Sequence, residues 1–459
     1  MNLQPNIKNL TFLLLIYIAL TPTLSCNKFL EKKANSKLIT PQTLEDLQAM
    51  LDDDESINNR TPELGETSSD DYFLIPTTAN TLSEERKGFY TWAATEYSDG
   101  DWGTTTKAIY IANLTLELLT DVTETIENRS QWNNVKGSAL FLRSYYWLSL
   151  LCDYGKAYDS STAAKDLGIM LRTASDFNKI FQRSTVLDSY SKIINDTKLA
   201  LPLLPKIPEV ASRPSKWAAY GLLARTYLTK RDYKNAFKYS DSALSINSTL
   251  INYNEIAEDK LLSQMPFSAL NAETIFYSTY PQFTGLFYYF YPGYVDTLLY
   301  ESYESNDLRK SAYFTTDQTG YHIFKGSYSD DGFKNVFTGI ATDEMYLIRS
   351  ECNIREGRLK EGLDDLNTLL SKRYKMNKLG VVSYENTEAA LNRVILERRK
   401  ELLFRGLRWV DIKRLNKENR SITLKRLIDG KTQTLNPNSG YYALPFPSDL
   451  IRITGITQN

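Results

Sequence analysis

The sequence is almost without histidine: His322 is the single imidazole in 459 residues. That excludes zinc centres built from several histidines and leaves any Ser-His-Asp arrangement one possible base. His322 stands in Tyr321-His322-Ile323-Phe324, an alternating stretch that predicts a strand, where an imidazole more often serves structure than catalysis. Cysteine is nearly as scarce. Of the three, Cys152 and Cys352 lie in apolar helical patterns, so buried free thiols are expected in place of a disulfide framework. Net charge is missing too: 54 basic residues face 55 acidic ones, −1 overall, so no global field draws in a polyanion. After the first thirty residues no apolar run approaches the roughly 20 that a membrane-spanning helix needs. What remains is a water-exposed chain long enough for a sizeable core, or for two lobes.

The N-terminus reads as a secretory signal peptide over residues 1–25, with Lys8 before an apolar run at 10–20 that only Thr11 breaks, and Pro22 after it. Thr23-Leu24-Ser25-Cys26 then places a small residue before a cysteine at the cleavage junction, as a bacterial lipobox does, although Leu24 sits one place later than the usual leucine. The expectation is lipidation at Cys26; the plainer alternative is an ordinary signal peptide beside an incidental cysteine. Acyl chains contribute about 0.8 kcal/mol per buried methylene, enough for several of them to hold a soluble body at a membrane. Residues 26–45 would form the lipidated N-terminus and neck.

Helical period dominates from about Thr104 onward: Ile109, Ala112, Leu116 and Leu119 on one stretch, Ala139, Leu142, Tyr146 and Ser149 on the next. Two stretches resemble tetratricopeptide repeats, whose paired helices alternate small and large apolar residues. In one, Tyr220, Leu223, Ala224 and Tyr227 face Tyr233, Ala236, Ser240 and Ala243; in the other, Met345, Ile348 and Cys352 precede Leu359, Gly362, Leu366 and Leu369. The four prolines of LPLLPKIPEVASRP, residues 201–214, make that segment a connection. The acidic run 52–55 lacks the alternating ligands of a calcium loop and reads as a solvated face or helix end. Residues 250–340 lose the helical period and fill with aromatics, glycine and threonine, notably PQFTGLFYYFYPGYVDTLLY at 281–300, and an irregular segment that long is uncommon unless it binds something. Tyrosine occurs 31 times, and rings with a polar tip suit amphipathic ligands such as sugars.

One stretch runs against the neutral balance. ERRKELLFRGLRWVDIKRL, residues 397–415, carries seven lysines and arginines around Trp409. Ile395, Leu402 and Trp409 recur every seven residues, while Glu397 and Glu401 stand within a helical turn of Arg398, Lys400, Arg405 and Arg408, so the charges are expected to pair within the segment, with Gly406 permitting a turn. A structural role is favoured over nucleic-acid binding.

Taken in order, these segments resemble the SusD-like (RagB/SusD) outer-membrane lipoproteins of Bacteroidetes, over nearly the whole mature chain. CNKFLEKKANSKLITPQTLEDLQAML resembles the family's start; GSALFLRSYYWLSLLCDYGKAY its Arg-Ala-Tyr-Tyr helix, with Gly137-Ser138-Ala139 for Gly-Glu-Ala; SRPSKWAAYGLLARTYL a later repeat helix; SNDLRKSAYF its Asp-x-Arg element; and YYALPFPSDLIRIT its closing segment. The ERRKELLFRGLRWVDIKRL stretch is the strongest match. The resemblance implies a mainly α fold: tetratricopeptide-like helix pairs forming a scaffold, with irregular loops and a few short strands. On this reading residues 46–250 form an N-terminal helical region with repeats, 251–340 a variable loop-rich ligand-facing region, and 341–459 a C-terminal region with a further helical repeat.

It further implies a cell-surface lipoprotein that binds a nutrient, usually a glycan, without catalysis, cofactor or metal, and delivers it to a SusC-like TonB-dependent transporter. By position in the family, the candidate ligand-binding residues are Trp92, Tyr97, Asp99 and Trp102 before and at the first repeat helix, and Phe283, Tyr288, Tyr289, Tyr291 and Tyr294 in the variable region. Two alternatives stay open. One is an exported glycan-degrading enzyme, which needs only two carboxylates; the other is a peptide-binding repeat scaffold that uses its concave helical grooves.

Overall fold

The computed structural model describes residues 41–94, 96–98, 100–281, 293–330, 336–428 and 430–459. Its helices of seven or more residues are α1 (Leu44–Leu51), α2 (Glu84–Tyr90), α3 (Asp101–Leu118), α4 (Arg129–Tyr154), α5 (Val186–Ala200), α6 (Lys216–Thr229), α7 (Tyr233–Leu244), α8 (Thr342–Arg355), α9 (Leu359–Ser371), α10 (Thr387–Glu401), α11 (Arg408–Asn416) and α12 (Ser448–Thr454). Several begin where a short polar side chain accepts an otherwise unpaired amide: Thr43 before α1, Thr185 before α5, Ser215 before α6, Asp232 before α7 and Asn386 before α10. At Thr43 the bond is reciprocal, since Asp46 accepts the Thr43 amide at 3.1 Å.

Successive helices pack side by side from α3 to α7, and α7 then passes its outer face to α8, which also meets α9 and α10. The spacing of small residues explains the close approach. Ala218, Ala219 and Ala224 of α6 and Ala236 and Ala243 of α7 are all fully buried. In the α8–α9 pair a β-carbon on Gly362 would stand 2.5 Å from Ile354 and 2.8 Å from the Ser350 carbonyl oxygen, and Ser350 Oγ donates to the Gly362 carbonyl at 2.6 Å. Both helix pairs expected from the sequence are thus present in register, and the 201–214 segment is the turn between α5 and α6. Asp52, in the acidic run, closes α1 and pairs with Arg213 at 2.6 Å. Cys152 and Cys352 are free thiols, the first half-buried and the second buried.

Strands are short and come in antiparallel pairs: β1 (Tyr72–Phe73) with β5 (Tyr294–Val295), β2 (Leu167–Met170) with β3 (Arg183–Thr185), β4 (Thr274–Phe276) with β8 (Ile340–Ala341), β6 (Phe314–Thr316) with β7 (His322–Phe324), and β9 (Leu424–Ile428) with β10 (Lys431–Leu435). His322 therefore lies in a hairpin strand, as its alternating neighbours predict. Among the described residues three apolar cores result: one beneath α1 and α3–α7, an aromatic one centred on Tyr253, Phe267, Tyr303 and Tyr313, and one between α8, α9 and α10.

The basic stretch turns where Gly406 permits it, and departs from expectation in its pairing. It is two helices, since α10 stops at Glu401 and α11 starts at Arg408, and between them Phe404 (φ 60°) and Gly406 (φ 74°) turn the chain through left-handed conformations. Its charges do pair, yet mostly with distant acids: Arg399 with Asp71 at 2.7 Å, Arg405 with Asp343 at 2.8 Å, Arg408 with Asp70 at 2.6 Å and Arg414 with Glu351 at 2.6 Å. Within the segment Lys400 pairs with Glu397 at 3.3 Å, and Asp411 takes Arg398 at 2.8 Å and Arg414 at 2.6 Å. Surface helices pair charges along themselves; the C-terminal end of α10 and all of α11 are enclosed, so their long side chains also reach across to whatever packs on them.

The same contacts explain why the Asp-x-Arg element matters. Arg309 is fully buried and donates to Asp307 at 2.9 and 2.7 Å, to Glu397 at 2.6 Å and to Glu401 at 2.9 Å. Lys400 joins Asp307 at 2.9 Å, and Arg373 bridges Glu401 and Glu273, both at 2.7 Å. Burial alone would raise the Asp307 carboxyl; Arg309 and Lys400 pull it down to about 2. The network fastens the segment leading into β6 onto α10.

Candidate functional site

The residues named from the sequence fall into separate places. Asp99, Phe283, Tyr288, Tyr289 and Tyr291 lie outside the described residues. Tyr97 and Trp102 are buried, at 5% and 4% exposure. The Tyr97 hydroxyl shares a 2.6 Å hydrogen bond with that of Tyr154, and Trp102 meets Tyr154 and Phe446 edge-on at 5.1 and 5.0 Å. Their rings are thus largely taken up in packing, with Tyr97 also on the wall of a small cavity of about 70 Å³ beside Glu85, Arg86 and Asp101. Trp92 is half-buried with φ 60°, and its indole N–H donates to the Ser68 carbonyl at 2.9 Å. The guanidinium of Arg426 stands over the rings of Tyr90, Tyr72 and Trp92, at 4.0, 4.6 and 5.5 Å.

Tyr294 is where the structure gathers aromatic side chains toward solvent. The β1–β5 pairing sets Phe73 opposite Tyr294, with ring centroids 5.7 Å apart. The β6–β7 hairpin brings Tyr321 to within 5.0 Å of both, tilted to Tyr294 and at 82° to Phe73. Tyr321 is exposed, Phe73 half-buried and Tyr294 buried beneath them, so two rings at a right angle form an open corner with a third supporting it. The Tyr294 hydroxyl donates to Asp317 at 2.6 Å, and Thr319 donates to the same carboxylate through its hydroxyl at 2.5 Å and its amide at 2.8 Å. These bonds, Thr319 first and Tyr294 next, lower the Asp317 carboxyl and keep it ionised and accepting. Alongside, Tyr300 stacks on His322 at 3.3 Å, with the Lys310 ammonium 4.5 Å from the Tyr300 ring. Burial, then Lys310, lowers the imidazole, which is neutral at pH 7.

Phe73 and Tyr321 escaped the sequence reading. A two-residue strand has no period to detect, and Tyr321 reads as one more residue of a hairpin. The usable signal was the turn Asp317-Gln318-Thr319-Gly320, which folds Tyr321 back toward β5; Gly320 supplies its positive φ of 83°.

Three other buried carboxylates, Glu273, Asp343 and Glu401, bring oxygens within 4.8 Å of one another. Guanidiniums already meet them: Arg373 bridges two and Arg405 holds Asp343, so this cluster belongs to the ion-pair network. No helix among the described residues is long and apolar enough to cross a membrane.

Residues 28–228 match the family described as "Starch-binding associating with outer membrane", and residues 280–444 match the one described as "SusD family". Comparison with curated proteins found no match. Among solved structures the chain is similar to a SusD superfamily protein from Bacteroides thetaiotaomicron VPI-5482, with 21% identity, 91% of this chain and 99% of that one covered, and a TM-score of 0.74. It is similar also to a SusD superfamily protein from Bacteroides vulgatus ATCC 8482 (20%, 91%, 99%, 0.73) and to a SusD-like carbohydrate binding protein from the same organism (20%, 90%, 97%, 0.68). At such identities the structural likeness speaks for the fold alone.

Proposed function

The chain belongs to the SusD family, and from that premise we propose that it is an outer-membrane lipoprotein, anchored through Cys26, that holds a glycan without cleaving it. It then delivers the glycan to a SusC-like TonB-dependent transporter. The observation that carries the binding step is the corner formed by Phe73 and Tyr321 over Tyr294. Aromatic faces receive the C–H faces of pyranose rings, and the ionised Asp317 at its edge accepts hydroxyl protons. By family position Trp92, and Asp99, Phe283, Tyr288, Tyr289 and Tyr291 outside the described residues, remain proposed glycan contacts, whereas Tyr97 and Trp102 are largely taken up in packing.

Asp317, held as an acceptor, suits hydroxyl binding and by itself could not be the general acid of a glycosidase. A glycosidase needs a carboxylic acid kept protonated near neutral pH opposite a second carboxylate, and hydrogen bonds push Asp317 the other way. The test is affinity electrophoresis against a panel of polysaccharides, paired with a reducing-sugar assay. A retained ligand should lose roughly tenfold in affinity in Tyr321→Ala, the equivalent of about 1.4 kcal/mol for one stacking ring, with no sugar released by the parent protein. Unchanged retention in Tyr321→Ala and Phe73→Ala would refute the site, and turnover would refute the function. Delivery is tested by co-purification of a barrel partner; Cys26→Ser should remove acyl labelling.

A further inference from the structure

A second cavity, of about 550 Å³, opens between the N-terminal half of α3, Trp147 of α4, the segment that follows β2, and α12. Its walls are apolar and its rim is unusually bare: Phe177 is 73% exposed, Ile180 59% and Ile453 67%. Phe177 stacks on Tyr110 at 4.7 Å and 25°, which holds it upright in water instead of letting it fold onto the core.

The polar groups around this cavity are of one kind. Every charged side chain in its lining is a cation, namely Lys107, Arg172 and Lys179. Arg172 is fixed by donating to the Lys179 carbonyl at 3.2 Å and to that of Asp176, and it lies 5.4 Å from the Phe181 ring. The Trp147 indole N–H, fully buried in the wall, has no acceptor among the described residues. The lining hydroxyls of Thr106 and Thr454 donate to backbone carbonyls of their own helices, Gly103 and Leu450. The charge on the described lining is therefore all positive, and that lining contains no carboxylate or amide side chain.

We propose that this cavity is a binding site for an amphiphilic anion, a single hydrocarbon chain ending in a carboxylate, with the chain along Phe177, Ile180 and Ile453 and the head toward Lys107, Arg172 and Lys179. The cavity shares Trp102 with the residues chosen by family position for glycan contact, while Phe73, Tyr294 and Tyr321, which carry the glycan reading, take no part in its lining.

Trp102 and Trp147 in the walls make intrinsic fluorescence the readout. The purified protein is titrated with dodecanoate, dodecanol and dodecyltrimethylammonium, each below its micelle concentration. Dodecanoate should bind saturably and at least about tenfold more tightly than the cationic chain, as expected for charges in a partly desolvated slot. Phe177→Ser with Ile180→Ser, both exposed positions, should weaken dodecanoate about tenfold by removing apolar contact. Lys107→Gln with Lys179→Gln should weaken dodecanoate and leave dodecanol unchanged. Equal binding of the cationic chain, indifference to Phe177→Ser with Ile180→Ser, or no binding of dodecanoate would each overturn the proposal. So would a stable dimer closing over these residues in sedimentation.

Discussion

Arg309→Met removes the cation at the centre of the buried network and leaves its partners in place. The side chains of Arg309, Asp307, Glu397 and Glu401 are all at 0% exposure, so water cannot replace the lost guanidinium. Lys400 and Arg373 remain and neutralise part of the excess, while four hydrogen bonds to carboxylate oxygens vanish. Breaking a buried pair in this way costs about 3–5 kcal/mol, against total stabilities of roughly 5–15 kcal/mol for a folded domain. Urea unfolding at pH 7, followed by circular dichroism, should show a loss in that range. The pH dependence gives the sharper check. Asp307, held at about 2 in the folded protein and near 3.9 when unfolded, contributes stability that is present above about pH 4 and is lost as pH falls toward 2. Without Arg309 these carboxylates take up protons more readily, so the gap between variant and parent should shrink between pH 7 and pH 4. A loss below about 1 kcal/mol, or the same loss at both pH values, would refute the account of the network.

Glu66 offers the opposite sign. Burial, then the charge of Asp71, pushes its carboxyl up to about 8, so the folded state keeps a proton that the unfolded chain releases above roughly pH 4.3. Stability should fall as pH rises from there toward 8, and Glu66→Gln should raise the melting temperature at pH 8 by much more than at pH 5. Gly362→Val drives its β-carbon into Ile354 and the Ser350 carbonyl and should destabilise by about 1–3 kcal/mol in the same unfolding assay, where an open helical glycine would have gained from a side chain. Burial raises the Cys152 thiol to about 12 and the Cys352 thiol above its usual range, so Ellman's reagent at pH 7.4 should find no reactive thiol at either position until denaturant is added.

The helical scaffold was legible because small residues leave a period: Ala224, Ala236 and Gly362 recur where two helices must touch, and period is what a sequence displays. The ordered motifs carried the family. Pairing across the fold was hidden, because nothing near Arg408 announces Asp70 and nothing near Glu397 announces Arg309. Local spacing suggested that Glu397 and Glu401 would satisfy the neighbouring cations; Glu397 does meet Lys400, while Glu401 turns to Arg309 and Arg373 across the fold. The aromatic corner was half visible. Tyr294 follows a stretch conspicuous for its rings, whereas Phe73 arrives from a two-residue strand more than two hundred positions away. Tyr97 and Trp102, chosen for type and position, went into packing because α3 and α4 meet exactly there in a crowd of rings that includes Tyr154 and Phe446.

An oily contact lets two elements slip by a fraction of a turn at little cost, whereas each guanidinium in the Arg309 lattice fits only its own oxygens. The hairpin that bears Tyr321 is clamped through that lattice to α10, which makes its mounting unyielding. On the proposed reading, a saccharide at the corner would adapt its own torsions to two fixed planes, and chains already bent to that angle would gain most.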